Sequence, residues 1–453
     1  MIRLSGFRPF YILTSYFFRN HNNKSKHTNI EMRKYPILLG FTGSFGSGCT
    51  ETIQIIKEHY NEKVIDFSLS KELTEIIKKT KWEESIAKAS PEEKRHLKQQ
   101  AGNHIRKTYG REKLASQVFD KIKANEAQLD GKEFILVDSI RNIGEIDFFR
   151  NNFLTYIWAI YANENVRAER MLPLYGYKLN LFKEDDERDH LEGNAYGQQV
   201  DTCVDDADIL IKNERSIKES VNQRNIYFEE SIKPHLELIS DPKSRVPDMR
   251  EIYMTMAYAA ASQSRCLQRK VGALITTEDF EVVSVGHNDV PKNLESCIER
   301  DGGCARDIQK TNLINTFIYC PKCGVALNED KICNNCGLSV DKEYFKSKNL
   351  GACRALHAEE SAIVEAAKSG IRLKNGIIFT TTFPCNMCAN KIANVGVKKV
   401  IYVEPYPEVE AIKILKKNNV EIELFEGIKS RAFFSLFKRI EEINRLCKRN
   451  GGM

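Results

Sequence analysis

Short apolar runs closed by turn residues alternate with longer amphipathic stretches along most of this chain, a pattern that predicts buried strands joined by helices. Residues 36–50 hold a short buried-strand run followed by a glycine-rich turn, with a helix over 51–60; the buried-strand patterns in Phe134 to Arg141 and Tyr156 to Tyr161 predict two more strands. Between them, Pro91 to Asp120 is strongly helical in pattern, and further along Lys183 to Asp189 is a charged, lid-like stretch. From Asp248 the pattern changes to an alanine-rich helix, Met249 to Ser264, and then a hairpin of Val271 to Thr277 with Val282 to Val285. A helix from His357 to Gly370 follows, then strand Ile377 to Thr382, helix Cys385 to Asn394, strand Val400 to Glu404, helix Glu408 to Asn418 and strand Val420 to Phe425. Strands alternating with helices imply an α/β protein whose last part is a largely parallel sheet. A chain of 453 residues exceeds what one core serves, so two domains are expected, 32–240 and 241–453, behind a segment 1–31.

Composition narrows the classes. The chain is 42% hydrophobic and 29% charged, and no apolar run approaches the roughly 18 to 20 residues of a membrane span, so a soluble cytoplasmic protein is expected. Its net charge of +6 owes most to the first 31 residues, where Arg3, Arg8, Arg19, Lys24 and Lys26 face only Glu31. The nearly neutral remainder argues against an extended nucleic-acid surface and stays compatible with small anionic ligands. Phe10 to Phe18, apolar behind two arginines, faintly imitates a signal peptide. No small-residue cleavage site follows it, so a disordered tail or an upstream extension ahead of a start at Met32 is the expectation. Thirteen cysteines, an odd number with six in C-x-x-C pairs, point to bound metal in a reducing compartment.

The turn after the first strand fits G-x-x-x-x-G-K-[ST] at Gly43, Gly48 and Thr50 with one exception: Cys49 stands where the lysine belongs. Gly43, Ser44, Gly46, Ser47, Gly48, Cys49 and Thr50 are candidates to cradle a phosphate on backbone N–H groups and a helix start. Without the lysine's fixed charge, phosphoryl transfer is in doubt while phosphate binding is not. Asp138, at a strand end, is the candidate for a magnesium- or water-contacting acid, and Arg167 and Arg170 share a helix face that would suit a phosphate. A glycine-rich turn without a ligand is the plainer alternative. Arg95 to Asn103, Asp138 to Arg141 and Tyr196 to Val200 together resemble deoxynucleoside monophosphate kinases over roughly residues 36–235.

Two metal constellations lie in the C-terminal half. His357-Ala-Glu359 and Pro384-Cys385-Asn-Met-Cys388 form H-x-E…P-C-x-x-C, the signature of zinc-dependent base deaminases. His357, Cys385 and Cys388 are three ligands that leave one tetrahedral position open, as catalytic zinc requires, while Glu359 is free to move protons. Cys320-Pro-Lys-Cys323 and Cys333-Asn-Asn-Cys336, each followed by glycine, read as a zinc ribbon inserted at about 297–350. Four thiolates close the coordination sphere, so this zinc is expected to be structural. Cys297, Cys304 and Cys353 nearby are alternative ligands.

Val271 to Ile275, Gly286-His-Asn288, the zinc motifs and Tyr402 to Tyr406 together resemble deoxycytidylate deaminases over about residues 248–427. That resemblance implies a cytidine deaminase-like α/β/α domain, with Asn288 on the deoxyribose and Tyr406 near the base. With the kinase-like half, a P-loop NTPase-like parallel sheet, the chain resembles the bacterial anti-phage dCTP deaminases. The resemblance implies zinc-dependent conversion of dCTP and dCMP to dUTP and dUMP, draining a phage's dCTP. It also implies a regulated enzyme; the phosphate cradle kept without its lysine leads to the expectation that the N-terminal domain senses a nucleotide or another inhibitor, and a homo-oligomer is expected. A housekeeping dCMP deaminase would not need some 200 N-terminal residues, and a nucleic-acid editing deaminase would show a basic channel.

Overall fold

The computed structural model describes residues 35–78, 80–175, 182–184, 186, 195–216, 221–340, 353–404, 408–436 and 439–440. Segment 1–31, Tyr406, part of the Lys183–Asp189 stretch and the end of the expected ribbon insertion lie outside them.

The first sheet has the order β11-β5-β4-β1-β3-β2. Its strands are β1 (Ile37–Thr42), β2 (Val64–Ser68), β3 (Phe134–Asp138), β4 (Thr155–Tyr161), β5 (Ile209–Lys212) and β11 (Gly427–Ile428). β1 is buried along its whole length and pairs in parallel with both β3 and β4, as a strand covered on both faces must. The expected all-parallel sheet is corrected at its edge: β11, from the far end of the chain, pairs antiparallel to β5 through Ile428 and Ile209. Two residues carry no periodicity, so only tertiary pairing could reveal this strand. The helical run expected over Pro91 to Asp120 is two helices, Pro91–Tyr109 and Lys113–Ala124, broken at Gly110, whose φ of 107° a side chain would strain.

The second sheet has the order β10-β9-β8-β6-β7, with β6 (Gly272–Thr276), β7 (Val282–His287), β8 (Ile377–Thr380), β9 (Lys399–Tyr402) and β10 (Glu421–Leu424). The β6/β7 hairpin and the parallel run β8-β9-β10 follow the expected order of elements. The two sheets are not separate bodies. One buried apolar cluster runs from Leu38, Ile135 and Ile157 in the first to Leu274, Ile378 and Val400 in the second. The segment after β11 crosses back: Ile428, Ala432 and Leu436 pack with β1 and β4 residues, and Arg439 donates to the Tyr156 hydroxyl at 3.0 Å.

Gly286 on β7 sets how closely helix Ala358–Lys368 approaches. A Cβ there would lie 2.3 Å from the Ala358 carbonyl oxygen and 2.4 Å from the Ala362 nitrogen, both backbone atoms that cannot swing aside. Gly286→Ala should therefore cost about 1–3 kcal/mol in overpacking and lower the melting temperature. An unchanged thermal unfolding profile would contradict this packing.

Candidate metal centre and active site

His357 and Cys385 occupy the N-cap positions of helices Ala358–Lys368 and Asn386–Asn394, and Cys388 lies in the second helix's first turn. The His357 Nδ1 atom is 3.3 Å from Cys385 Sγ and 3.5 Å from Cys388 Sγ. One nitrogen and two sulfurs within 4.8 Å of one another are a donor set that fits zinc. Cys385 is pulled down to about 4, chiefly by the hydrogen bond from Cys388, whose own thiol is pushed up. The pair thus shares one proton, and a cation in its place would make both thiolates.

Glu359, two residues past His357, is 4% exposed. Burial pushes its carboxyl up to about 7, the range in which a group both takes and gives protons at neutral pH. The cluster opens on a cavity of about 640 Å³ that Glu359, His357, Cys385 and Asn288 all line.

Residues 247–404 match the model of the cytidine and deoxycytidylate deaminase zinc-binding region. The deoxycytidylate deaminase of Saccharomyces cerevisiae is 28% identical over 201 residues, 43% of this chain and 52% of that protein. That of Enterobacteria phage T4 is 28% identical over 159 residues, 34% of this chain and 76% of that protein. The region belongs to the cytidine and deoxycytidylate deaminase family of hydrolases. The chain spans about half the length of the yeast relative, at 52%. A crystal structure of dCMP deaminase from the cyanophage S-TIM5, in complex with dCMP and dUMP, covers 40% of this chain and 99% of that chain at 25% identity, with a TM-score of 0.27. The family's metal is zinc, and His357, Cys385 and Cys388 are the residues of the deaminase region that fit it.

Asn288 is committed to the backbone at both ends of its amide. Its Oδ1 accepts from the Val271 N–H at 2.7 Å and its Nδ2 donates to the Arg269 carbonyl at 2.8 Å, which leaves one N–H and one lone pair for a ligand. Four arginines, absent from the sequence-level candidates, line the deaminase cavity: Arg265, Arg269, Arg306 and Arg354. Arg265 pairs with Asp289 at 2.9 Å, Arg269 pairs with Glu404, and Arg354 lies 3.5 Å from Asp301. Arg306 has no carboxylate partner among the described residues. Scattered arginines carry no spacing signal; only the fold gathers them.

The second constellation also assembles. Cys320, Cys323, Cys333 and Cys336 bring four sulfurs within 4.8 Å of one another, so the site fits a second, structural metal. The two knuckles are built alike: the Gly324 and Gly337 N–H groups each donate at 2.8 Å to the carbonyl of the first cysteine of their pair, Cys320 and Cys333. Both glycines take the left-handed conformation, φ 72° and 70°. Cys297, Cys304 and Cys353 stand apart from this cluster and line the catalytic cavity.

Around the glycine-rich turn, Thr50 Oγ1 donates to Asp138 Oδ2 at 2.8 Å, joining the helix start to the end of β3. The Cys49 thiol lies 3.6 Å from Ser47 Oγ, and burial pushes it up to about 12, so it is neutral. Gly43, Ser44, Gly46 and Gly48 complete the turn, with Gly46 and Gly48 at positive φ. The expectation for Arg167 and Arg170 is corrected. Arg167 is 2% exposed and holds Asp186 and the Phe45 carbonyl, while Arg170 donates to the Gly46 and Ser47 carbonyls at 3.0 Å each. They brace the turn by satisfying its Phe45, Gly46 and Ser47 carbonyls.

Zinc analysis of the purified chain should find two ions per chain. Cys388→Ser and Cys336→Ser should each lower this to one, and a variant that keeps both ions would break the corresponding ligand assignment.

Proposed function

We propose that the chain hydrolyses the exocyclic amine of deoxycytidine nucleotides, converting dCMP and dCTP to dUMP and dUTP with release of ammonia. The observation that carries this reading is a buried carboxylate, Glu359, beside a three-donor metal cluster at the base of an arginine-lined cavity. His357, Cys385 and Cys388 would hold the zinc, which would supply Lewis acidity that brings the pKa of water from about 15.7 towards 7.

Glu359 then does the proton work. Its carboxylate takes the proton of the attacking water as oxygen bonds to C4 of the ring, and delivers it to N3. It next moves the remaining proton of the C4 hydroxyl to the departing amino group; the C4–N bond breaks, ammonia leaves and the C4 carbonyl forms. The polar ends left on Asn288 suit the deoxyribose, and Tyr406 is assigned to the base. Relatives named deoxycytidylate deaminase support the monophosphate, and Arg306, which has no carboxylate partner among the described residues, favours a longer phosphate chain as well. On this reading the chain acts in the cytoplasm as a homo-oligomer and depletes dCTP against a replicating virus. The N-terminal half is a P-loop-like regulatory domain in the same account.

Purified protein offered dCMP, dCTP, CTP and single-stranded DNA should release ammonia from the two deoxynucleotides. Turnover of DNA alone would overturn the substrate assignment, and turnover of dCMP alone would return the chain to a salvage role. Glu359→Gln should cut kcat by about 10²- to 10⁴-fold while zinc content stays at the wild-type level.

A further inference from the structure

Four cysteines that belong to neither metal cluster, Cys266, Cys297, Cys304 and Cys353, line the catalytic cavity. They come from four separate segments: the turn after helix Met249–Ala261, the first residue of the short helix Cys297–Asp301, the N-cap of helix Ala305–Thr316, and the stretch leading to His357. All four are free and partly exposed, and access governs whether a thiol exchanges. Among the described residues none of them joins a group of three metal donors, so metal binding does not account for their gathering.

Contacts fix these thiols around the space a substrate would occupy. The Cys266 N–H donates to Ser264 Oγ at 3.2 Å, and Ser264 Oγ donates to the Asn288 carbonyl at 2.6 Å, which ties Cys266 to the residue assigned to the deoxyribose. Arg354, next to Cys353, lies 3.5 Å from Asp301 and donates to the Glu295 carbonyl at 3.3 Å. It thereby fastens the Cys353 segment to the helix that Cys297 begins. The Leu356 N–H donates to the Asp289 carbonyl at 2.9 Å and anchors the run from Cys353 to His357. Arg306, two residues beyond Cys304 in the same lining and without a carboxylate partner among the described residues, offers a guanidinium to an anionic group.

We infer that the catalytic cavity is a thiol-modification site, at which an anionic low-molecular-weight disulfide exchanges with the lining cysteines and switches deamination off until the adduct is reduced. A cysteine sulfur attacks one sulfur of the disulfide, that S–S bond breaks, and a new S–S bond joins one half of the small molecule to the chain. The other half departs as a thiol carrying the cysteine's proton, so the cysteine is oxidised and the departing half is reduced. The bound half fills space that the nucleotide needs, and its carboxylate takes Arg306. The loss of activity rests on the deaminase reading; the thiol exchange does not.

Oxidised glutathione, applied to the full zinc-loaded chain, should add glutathionyl groups that peptide mapping finds on Cys266, Cys297, Cys304 or Cys353. Arg306→Gln should slow this addition at least threefold while leaving the rate with the uncharged disulfide of 2-mercaptoethanol unchanged. The treated chain should lose dCMP turnover at least tenfold, keep its zinc content and recover with dithiothreitol. The variant Cys266→Ser/Cys297→Ser/Cys304→Ser/Cys353→Ser should keep most of its own starting turnover under the same treatment. No adduct, adducts confined to the cysteines of the two metal clusters, or an addition rate indifferent to Arg306→Gln would each overturn the site. Complete modification with turnover intact, or loss of turnover that tracks loss of zinc, would overturn the switch. Adducts mapped to the four cysteines of a chain that deaminates nothing before treatment would overturn the proposed function while leaving the thiol site standing.

Discussion

Helices Ala358–Lys368 and Asn386–Asn394 begin at the same place, and their first residues are a histidine and a cysteine held at N-cap positions. Crowding one imidazole nitrogen and two sulfurs within 4.8 Å costs free energy unless positive charge sits among them. Without a metal, the Cys385/Cys388 pair can offer only a shared proton. With one, the helix N-termini add their own partial positive charge to the thiolates. Gly286 allows the helix after His357 to lie directly on β7, and this packing buries Glu359 on the second residue of the helix. The carboxylate's raised pKa is therefore a consequence of the same contact that positions His357.

The two sheets are tied by charges buried at their junction. Lys429, just after β11, is 3% exposed and donates to the Val204 carbonyl at 2.9 Å, as well as to the Asp205 carbonyl, at the C-terminal end of helix Val200–Asp205. Burial pulls its pKa down to about 8, against the pull of Asp205 and Asp208 in the other direction. A buried ammonium is tolerable only when its donors are satisfied, and the helix carbonyls do this. The same short helix thus meets the catalytic cavity on one side and the returning C-terminal segment on the other. Within the N-terminal half, Glu145 plays a comparable part: it pairs with Arg106 and accepts from the Arg141 and Asn142 N–H groups at 2.9 and 3.2 Å.

How far the sequence revealed this arrangement depends on whether a feature is local. C-x-x-C pairs and H-x-E are local in the chain, so their ligands could be named from spacing, and the structure brings both sets together. The strands around them were legible as apolar runs. β2 was not, because Val64 to Ser68 carries Asp66 and Ser68 within five residues, and β11 is two residues long. The arginines of the catalytic cavity were invisible for another reason: positions 265, 269, 306 and 354 come from separate segments that only the fold joins. Arg167 and Arg170 show the converse error. Their shared face was read correctly, but a helix face does not say whether an arginine meets a ligand or a neighbouring carbonyl.

Cys49 shows what the glycine-rich turn is suited to. Phosphoryl transfer needs a fixed positive charge against the leaving phosphate, and a thiol pushed up to about 12 supplies none. Arg170 does not replace it, because its guanidinium donates to the carbonyls of Gly46, Ser47, Asn213 and Arg215. What persists is the frame, with Thr50 tied to Asp138 across the reversal of strand order and the turn braced by the buried Arg167 and the half-buried Arg170. Lys94, Arg95, Lys98 and Arg141 line a separate cavity between helices Leu69–Ile77 and Pro91–Tyr109. Asp201, three residues beyond Gln198 of that cavity, also lines the cavity beside His357.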